Sequence, residues 1–280
     1  MKVGIIGLGL IGGSLGLDLQ ANGFASSVSG WDQDEQHRQQ ALELGLVNEL
    51  AELEEMKQNC ELIILAIPVG AIVKVLPQVL DGASKGLTVT DMGSTKNSIA
   101  EAVEKHPQRA LYVASHPMAG TEFSGPAAAI PQLYVGKVAI ICDREKSAEK
   151  GVHLVERMYR SLYMRVRHMK ANEHDLHAAY VSHISHISSF VLANTVLNKE
   201  KSERAIFDLA SGGFESTARL AKSSPEMWAP IFDQNKKALL EVIDIYSEQM
   251  QLVRNYIEKG DINAMKNWMK KANEIKRILN

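Results

Sequence analysis

Cysteine is scarce in this sequence: Cys60 and Cys142 are all that 280 positions hold, and no metal or redox spacing joins them. Both stand in or beside apolar runs, ELIILAIP and KVAIICD, so buried, reduced thiols are expected rather than a disulfide, as suits a reducing cytoplasm. A surplus of charge is missing too. Lys and Arg number 31 against 33 Asp and Glu, a formal −2, so nothing directs the chain towards nucleic acid or an anionic membrane. Long apolar runs are absent as well, none approaching the ~20 residues that span a bilayer. Low-complexity tails and internal repeats are not found. The opening MKVGIIGLGLIGGSLGLDL has the outline of a short signal peptide, but it carries one lysine and too many glycines for a stable apolar helix. Asp18 also stands where a cleavage context would lie, and a cytoplasmic protein is expected.

What is present is ordinary in bulk and informative in order. Hydrophobic residues make up 45% and charged residues 23%, the balance of a globular protein with room for one large domain or two smaller ones. The first half alternates strand candidates (KVGII, SSVSGWD, ELIILAIP, LTVTDMG, ALYVASH, KVAIIC, YMRVRHM) with segments of helical period such as DEQHRQQALELG and NSIAEAVEKH. Continuous apolar strands separated by helices predict a parallel sheet covered on both faces, a doubly wound α/β fold. After about Arg167 the strand signal stops. Asn172 to Leu197 reads as one long helix, followed by helical stretches in SERAIFDLAS and FESTARLAK. A further long helix is expected from Pro225, behind the capping pair Ser223-Ser224, and then an amphipathic one in INAMKNWMKKANEIKRIL. The expected organisation is a nucleotide-binding domain over 1–168 and an all-helical domain over 169–280. The helical half offers apolar faces that suit a homodimer.

Gly7, Gly9 and Gly12 form G-L-G-L-I-G between the first strand and the first helix. The first glycine permits the tight turn, the second lets backbone approach a pyrophosphate, and the third lets helix and strand pack closely. Leu10, Ile11 and Gly12 then present the helix N-terminus to the phosphates. The second strand ends in Trp31-Asp32, with Asp32 20 residues after Gly12, where an acid commonly bonds ribose hydroxyls. Asp32 speaks for NAD, since a carboxylate repels a 2′-phosphate. His37 and Arg38, one turn into the next helix, supply the positive charge that would suit NADP, so both remain open. Ala66, Ile67 and Pro68 close the next long strand, and Gly93 follows the one after it, at the sheet edge along which a dinucleotide passes.

His116 closes the strand ALYVASH at that same edge, and Pro117 after it is expected to end the sheet pairing. Ser94, behind TDMG, reaches the edge too, where a hydroxyl can fix a tautomer. Histidine is the side chain best suited to base chemistry near neutral pH. The helix after Asn172 carries His174, His177, His183 and His186. At 100° per residue the members of each pair lie about 60° apart and the two pairs diverge. No common metal site is therefore expected, and one pair should face the cleft while the other faces solvent. Arg219 suits a carboxylate through its planar fork, and Trp228 has the character of a core residue.

The blocks GLGLIGGSL, TDMGSTK, SHPMAGTE, VSHISH and GGFESTARLAKSSPEMW, in this order, resemble the prephenate and arogenate dehydrogenase family over nearly the whole chain. Among its members the chain looks most similar to the short, cyanobacterial type of arogenate dehydrogenase. The resemblance implies oxidative decarboxylation of a cyclohexadienol with NAD(P) and no metal, on the route to tyrosine. It implies that His116 takes the hydroxyl proton and that Ser94 holds His116 and the nicotinamide side. His186 and His183 would bind the substrate, Arg219 would pair with its ring carboxylate, and Trp228 would come from helices at a dimer interface. Thr121 and Glu122 would line the entrance, Glu122 within an ionic network. An aspartate that relatives add three positions before the arginine is Ser216 here. From the short-form resemblance, arogenate and NADP are the expected pair, with prephenate and NAD the alternative. A β-hydroxyacid dehydrogenase would need a lysine on the long helix, and Asn172 to Asn198 has none. A non-catalytic nucleotide sensor would leave Ser94, His116, His186 and Arg219 without a task.

Overall fold

The structure, a computed structural model, describes residues 1–201 and 205–278. The chain forms two compact units, Met1–Asn235 and Lys236–Asn280. In the first unit β1 (Lys2–Ile6), α1 (Leu10–Ala21), β2 (Ser27–Trp31), α2 (Glu35–Glu43), β3 (Glu49–Leu50), α3 (Leu53–Asn59), β4 (Leu62–Leu65) and α4 (Val69–Leu80) alternate. They are followed by β5 (Thr88–Asp91), α5 (Asn97–Ala102), β6 (Tyr112–Pro117), β7 (Val138–Cys142), α6 (Glu149–Ser161) and β8 (Arg165–Met169). Helices α7 (Ala171–Ala178), α8 (Ile184–Glu200), α9 (Gly212–Ala218) and α10 (Pro225–Gln234) complete it. The second unit holds α11 (Lys236–Lys259) and α12 (Ile262–Ala272), the latter capped by the Asp261 carboxylate on Ala264 N–H at 2.9 Å. The compact units divide after Asn235, so α7 to α10 lie in the same unit as the sheet.

Among the described residues eight strands form one sheet in the order β3-β2-β1-β4-β5-β6-β7-β8. The order reverses between β1 and β4, the switch point at which open α/β sheets take ligands. Strands β4 and β5 are buried at every residue, since helices cover both faces. Alternation divides the side chains between two cores. Ile5, Ile64 and Val113 enter one, and Ile6, Ile63, Leu65, Tyr112 and Ala114 the other. Helix α4 shows why a helix forms and where it lies. Its Val69, Ile72, Leu76, Val79 and Leu80 share one stripe and are buried, each worth about 1.5–3 kcal/mol against exposure. Pro68 opens this helix at its N-cap, its carbonyl accepting Ile72 N–H at 3.0 Å. No helix among the described residues is long and apolar enough to cross a membrane.

Four expectations need correction. Every neighbouring pair of strands is parallel except β6 and β7, which run antiparallel. Pro117 does not end the pairing: it is the last residue of β6, opposite Ala139, and Met118 N–H donates to Val138 O at 2.8 Å. The alternation of a strand turns the nitrogen of Pro117 away from β7, towards the side where β5 has already stopped, so its missing donor costs no ladder bond. The long helix after Asn172 is interrupted by a π-helical turn, Ala179–His183. The helix from Pro225 stops at Asn235, which is buried and takes up side-chain bonds described below. The stretch SERAIFDLAS lies partly outside the described residues, and its remainder holds only the 3₁₀ turn Phe207–Leu209.

Candidate active site

The carboxyl ends of β1, β2, β4, β5 and β6 lie along one edge. At the first of them Gly7 sits at φ +99°, and its N–H donates to Trp31 O at 2.8 Å. A Cβ on Gly12 would stand 1.8 Å from Gly7 O, so only glycine lets α1 start this close to the strand. Gly9 is the N-cap of α1, and Leu10 and Ile11 open its first turn. A Cβ built on Gly9 meets nothing nearer than Gly125 N, at 3.8 Å. Open space in front of unpaired first-turn N–H groups is what a pyrophosphate requires, so the residues fit a dinucleotide. Asp32 accepts from Leu8 N–H at 2.8 Å and Asp34 N–H at 3.0 Å, and His37 Nδ1 lies 3.6 Å from its carboxylate. Arg38 donates to the Asp32 backbone carbonyl at 2.8 Å. Trp31 donates its indole N–H to Glu52 at 3.0 Å. Ala66 N–H pairs with Ile6 O at 2.7 Å, Ile67 borders Gly7, and Gly93 N–H donates to Asp91 at 2.9 Å. The sequence-expected nucleotide residues therefore gather at one edge.

His116 is buried at the end of β6. Its Nδ1 lies 2.8 Å from His174 Nε2, and His174 Nδ1 lies 2.8 Å from Asp175 Oδ1. Asp175 also accepts the Lys96 and Asn97 backbone N–H groups at 2.7 and 2.9 Å, tying α7 to the start of α5. Asn235 donates to Asp175 O at 2.7 Å and stands 3.0 Å from His183 Nδ1. Ser94 is half-buried on the same edge, and its backbone bonds His183. Among the described residues no hydrogen bond joins Ser94 to His116; the partner of His116 is His174.

A second polar group lies beneath this edge. Lys96 and Asp91 are fully buried and paired, and Lys96 Nζ also donates to Ser115 O at 2.7 Å. Tyr112 OH donates to Asp91 at 2.6 Å. The surroundings keep the histidines neutral. Burial, then His174, Lys96 and His183, drive His116 well below the usual imidazole range. Burial lowers His174 against the opposing pull of Asp175. It pushes His183 down to about 4 and lowers His186 as well.

His186 stacks on Trp228 with centroids 3.5 Å apart, and His183 meets the same indole edge-on at 5.8 Å. Trp228 is buried, as expected of a core residue, yet its indole N–H has no partner among the described residues. Arg219 forms an ion pair with Glu122 at 2.8 Å. The turn carrying Arg219 is pinned by Ser189 of α8, which donates to Thr217 O and accepts Ala221 N–H at 3.0 and 2.9 Å. Thr121 Oγ1 accepts Phe123 N–H at 3.2 Å, shaping the loop that presents Glu122. Ser216 turns back onto Gly213 O and stays outside the ion pair.

The pairing of histidines departs from expectation. Nine residues of α-helix would put His183 about 180° from His174. The π turn between them absorbs roughly one residue, which cuts that separation to about 80°; His174 and His183 are both buried, while His177 is exposed. Among the described residues no group of three or more His, Cys, Asp or Glu is placed to hold a metal ion. His174, Asp175, Lys96 and Asn235 were not expected at the site. The signals for them were an acid directly after a histidine and the lysine closing TDMGSTK.

Residues 15–168 match the family model described as prephenate dehydrogenase, nucleotide-binding domain, and residues 170–271 match prephenate dehydrogenase, dimerization domain. The chain is 29% identical to the prephenate dehydrogenase of Bacillus subtilis, over 96% of this chain and 74% of that one. It superposes on the prephenate dehydrogenase of Aquifex aeolicus, solved with hydroxyphenyl propionate and NAD+, at a TM-score of 0.90 and 28% identity, covering 99% and 97% of the two chains. Synechocystis arogenate dehydrogenase shares the fold at a TM-score of 0.79 and 24% identity, covering both chains in full.

Proposed function

The chain belongs to the prephenate and arogenate dehydrogenase family, and from that premise we propose that it oxidises and decarboxylates prephenate with NAD+, His116 acting as the base. The observation that carries this is a buried, neutral imidazole whose Nδ1 is occupied, at the same sheet edge as the glycine turn. Gly7, Gly9, Leu10, Ile11, Gly12 and Asp32 would hold the dinucleotide, whose nicotinamide supplies the hydride acceptor. His116 Nε2 takes the proton of the ring hydroxyl as that carbon gives up its hydride. The ring ketone so formed loses CO2, and aromatisation to the phenol drives the step. His186, His183 and Trp228 form an aromatic wall against the ring, and Ser94 stands beside the site. Arg219 exchanges Glu122 for the ring carboxylate. An exposed arginine holds that group without gripping it so firmly that its departure slows.

The short-form resemblance pointed to arogenate with NADP, and two observations weigh the other way. The Asp32 carboxylate at the end of β2 would repel a 2′-phosphate, and Arg38, the cation that could offset it, is turned onto the Asp32 carbonyl. The Bacillus subtilis, Lactococcus lactis and Aquifex aeolicus relatives are named for prephenate and one was solved with NAD+, while a Zymomonas mobilis relative, 29% identical, is named a cyclohexadienyl dehydrogenase. A homodimer is proposed as well. The second unit, most of it inside the matched dimerization domain, exposes Leu240, Ile245, Met250 and Ile257 along α11. Steady-state assays of both cyclohexadienols with both nucleotides test the reading. The expected result is the highest kcat/KM for prephenate with NAD+; a higher value for arogenate with NADP+ reverses both choices.

A further inference from the structure

His116 has two ring nitrogens, and only one can be the base. Asp175, with two backbone N–H groups already on its carboxylate, is fixed as an acceptor. The His174 nitrogen facing it at 2.8 Å must therefore carry hydrogen. A neutral imidazole protonated on Nδ1 has a bare Nε2. That bare nitrogen faces His116 Nδ1 at 2.8 Å, so this position of His116 must be the donor. The proton count then leaves His116 Nε2 with a free lone pair and, among the described residues, no hydrogen-bond partner.

Resting on the assignment of His116 as base, we propose that His174 and Asp175 are positioning residues of the reaction, a relay that locks His116 in the Nδ1–H tautomer and so makes Nε2 the proton acceptor. When Nε2 takes the substrate hydroxyl proton, the positive charge on His116 is met by the His174 lone pair, whose ring is held in turn by the Asp175 carboxylate. No bond in the relay breaks. Asn235, donating to Asp175 O and reaching His183, fixes the position of this end of α7. The same logic orients the histidine of a Ser-His-Asp triad, where the wrong tautomer is costly although the geometry is intact. Here a second imidazole is interposed between acid and base.

Two measurements on the full-length protein test the relay. In the first, nitrogen shifts of ¹⁵N-histidine-labelled wild-type protein near pH 8 are assigned by comparison with His116→Gln. The expected signature is a protonated Nδ1 and a bare Nε2 on His116; a proton on Nε2 overturns the proposal. In the second, His174→Gln is compared with His174→Leu. Glutamine keeps an oxygen that can accept from His116 and an amide that can donate to Asp175, whereas leucine offers neither. His174→Leu is expected to lower kcat by about 10²-fold or more with KM and nucleotide Kd within about threefold, and His174→Gln to stay within about tenfold of wild type. Leucine retaining kcat within about threefold, or glutamine losing as much as leucine, rejects the relay. Should the leucine variant not fold, the wild-type tautomer still decides. Failure of the relay is separable from failure of the base: turnover surviving in His116→Ala removes the base assignment whatever the nitrogen shifts show.

Discussion

The glycine turn and the histidine relay sit on one sheet edge but are built in opposite ways. Residues 7–12 make the turn from a single uninterrupted stretch, and every requirement is local: a positive φ at Gly7, contact at Gly12, open space at Gly9. The relay gathers His116, His174, Asp175 and Asn235 from three distant parts of the chain, and a π turn follows it within the same run of helix. One is a backbone cradle that tolerates change around it. The other is a chain of side chains in which each hydrogen bond fixes the next, so one substitution propagates.

The widest separation between the two regions is expected at His116 itself. His116→Ala should lower kcat by about 10²–10⁴-fold, the contribution of a positioned base. Nucleotide Kd, measured by titration calorimetry, should stay within about threefold. Loss of both together would mean that the two regions are not independent. Beneath the relay, Lys96→Met strands the Asp91 carboxylate in a fully buried site. A cost of about 3–5 kcal/mol is expected in denaturant unfolding. Adding Asp91→Asn should recover part of it, because the uncompensated charge is then gone.

The same contrast explains what could be read from sequence. The doubly wound sheet, the glycine turn and His116 at a strand end follow from continuous apolar strands alternating with helices and from glycine spacing. Pro225 begins its helix as its capping serine predicts. The antiparallel turn of β7 was not legible, since VAIIC pairs equally well in either direction. The resemblance gave Ser94 as the partner of His116, whereas His174, distant in sequence and on a helix beyond the sheet, becomes its neighbour only in the folded chain. A π turn leaves no mark in hydrophobic periodicity, so 100° per residue divided the histidines into two diverging pairs, whereas His174 and His183 are both buried and His177 is exposed. Asn235 was hidden for a related reason: a polar residue between two helical runs reads as a surface position until its burial is seen.

An intermediate effect should appear with pH, and it belongs to the relay side alone. His116, His174, His183 and His186 are all held neutral below the usual imidazole range. Below about pH 6.5 the unfolded chain binds protons on these rings that the folded chain refuses, so stability falls as pH drops. With a folded pKa of about 4, His183 alone removes about 2 kcal/mol between pH 7.5 and 5. Urea midpoints across that range should decline, and His183→Gln should flatten the decline. A profile unchanged by that substitution would remove His183 from the neutral set.

The smallest effect tests the cradle. Gly9 has φ −74° and ψ −159°, a conformation open to alanine, and an added methyl would have no protein atom nearer than 3.8 Å. Gly9→Ala should therefore cost only about half a kcal/mol of stability, through a poorer N-cap. The methyl would enter the space in front of the first-turn N–H groups, where the pyrophosphate has to approach. Nucleotide Kd should rise roughly tenfold, about 1.4 kcal/mol, while kcat at saturating nucleotide stays near wild type. His116→Ala predicts the reverse pattern. If Gly9→Ala instead lowers kcat and leaves Kd alone, the turn is reaching into the chemistry and the division between cradle and relay fails.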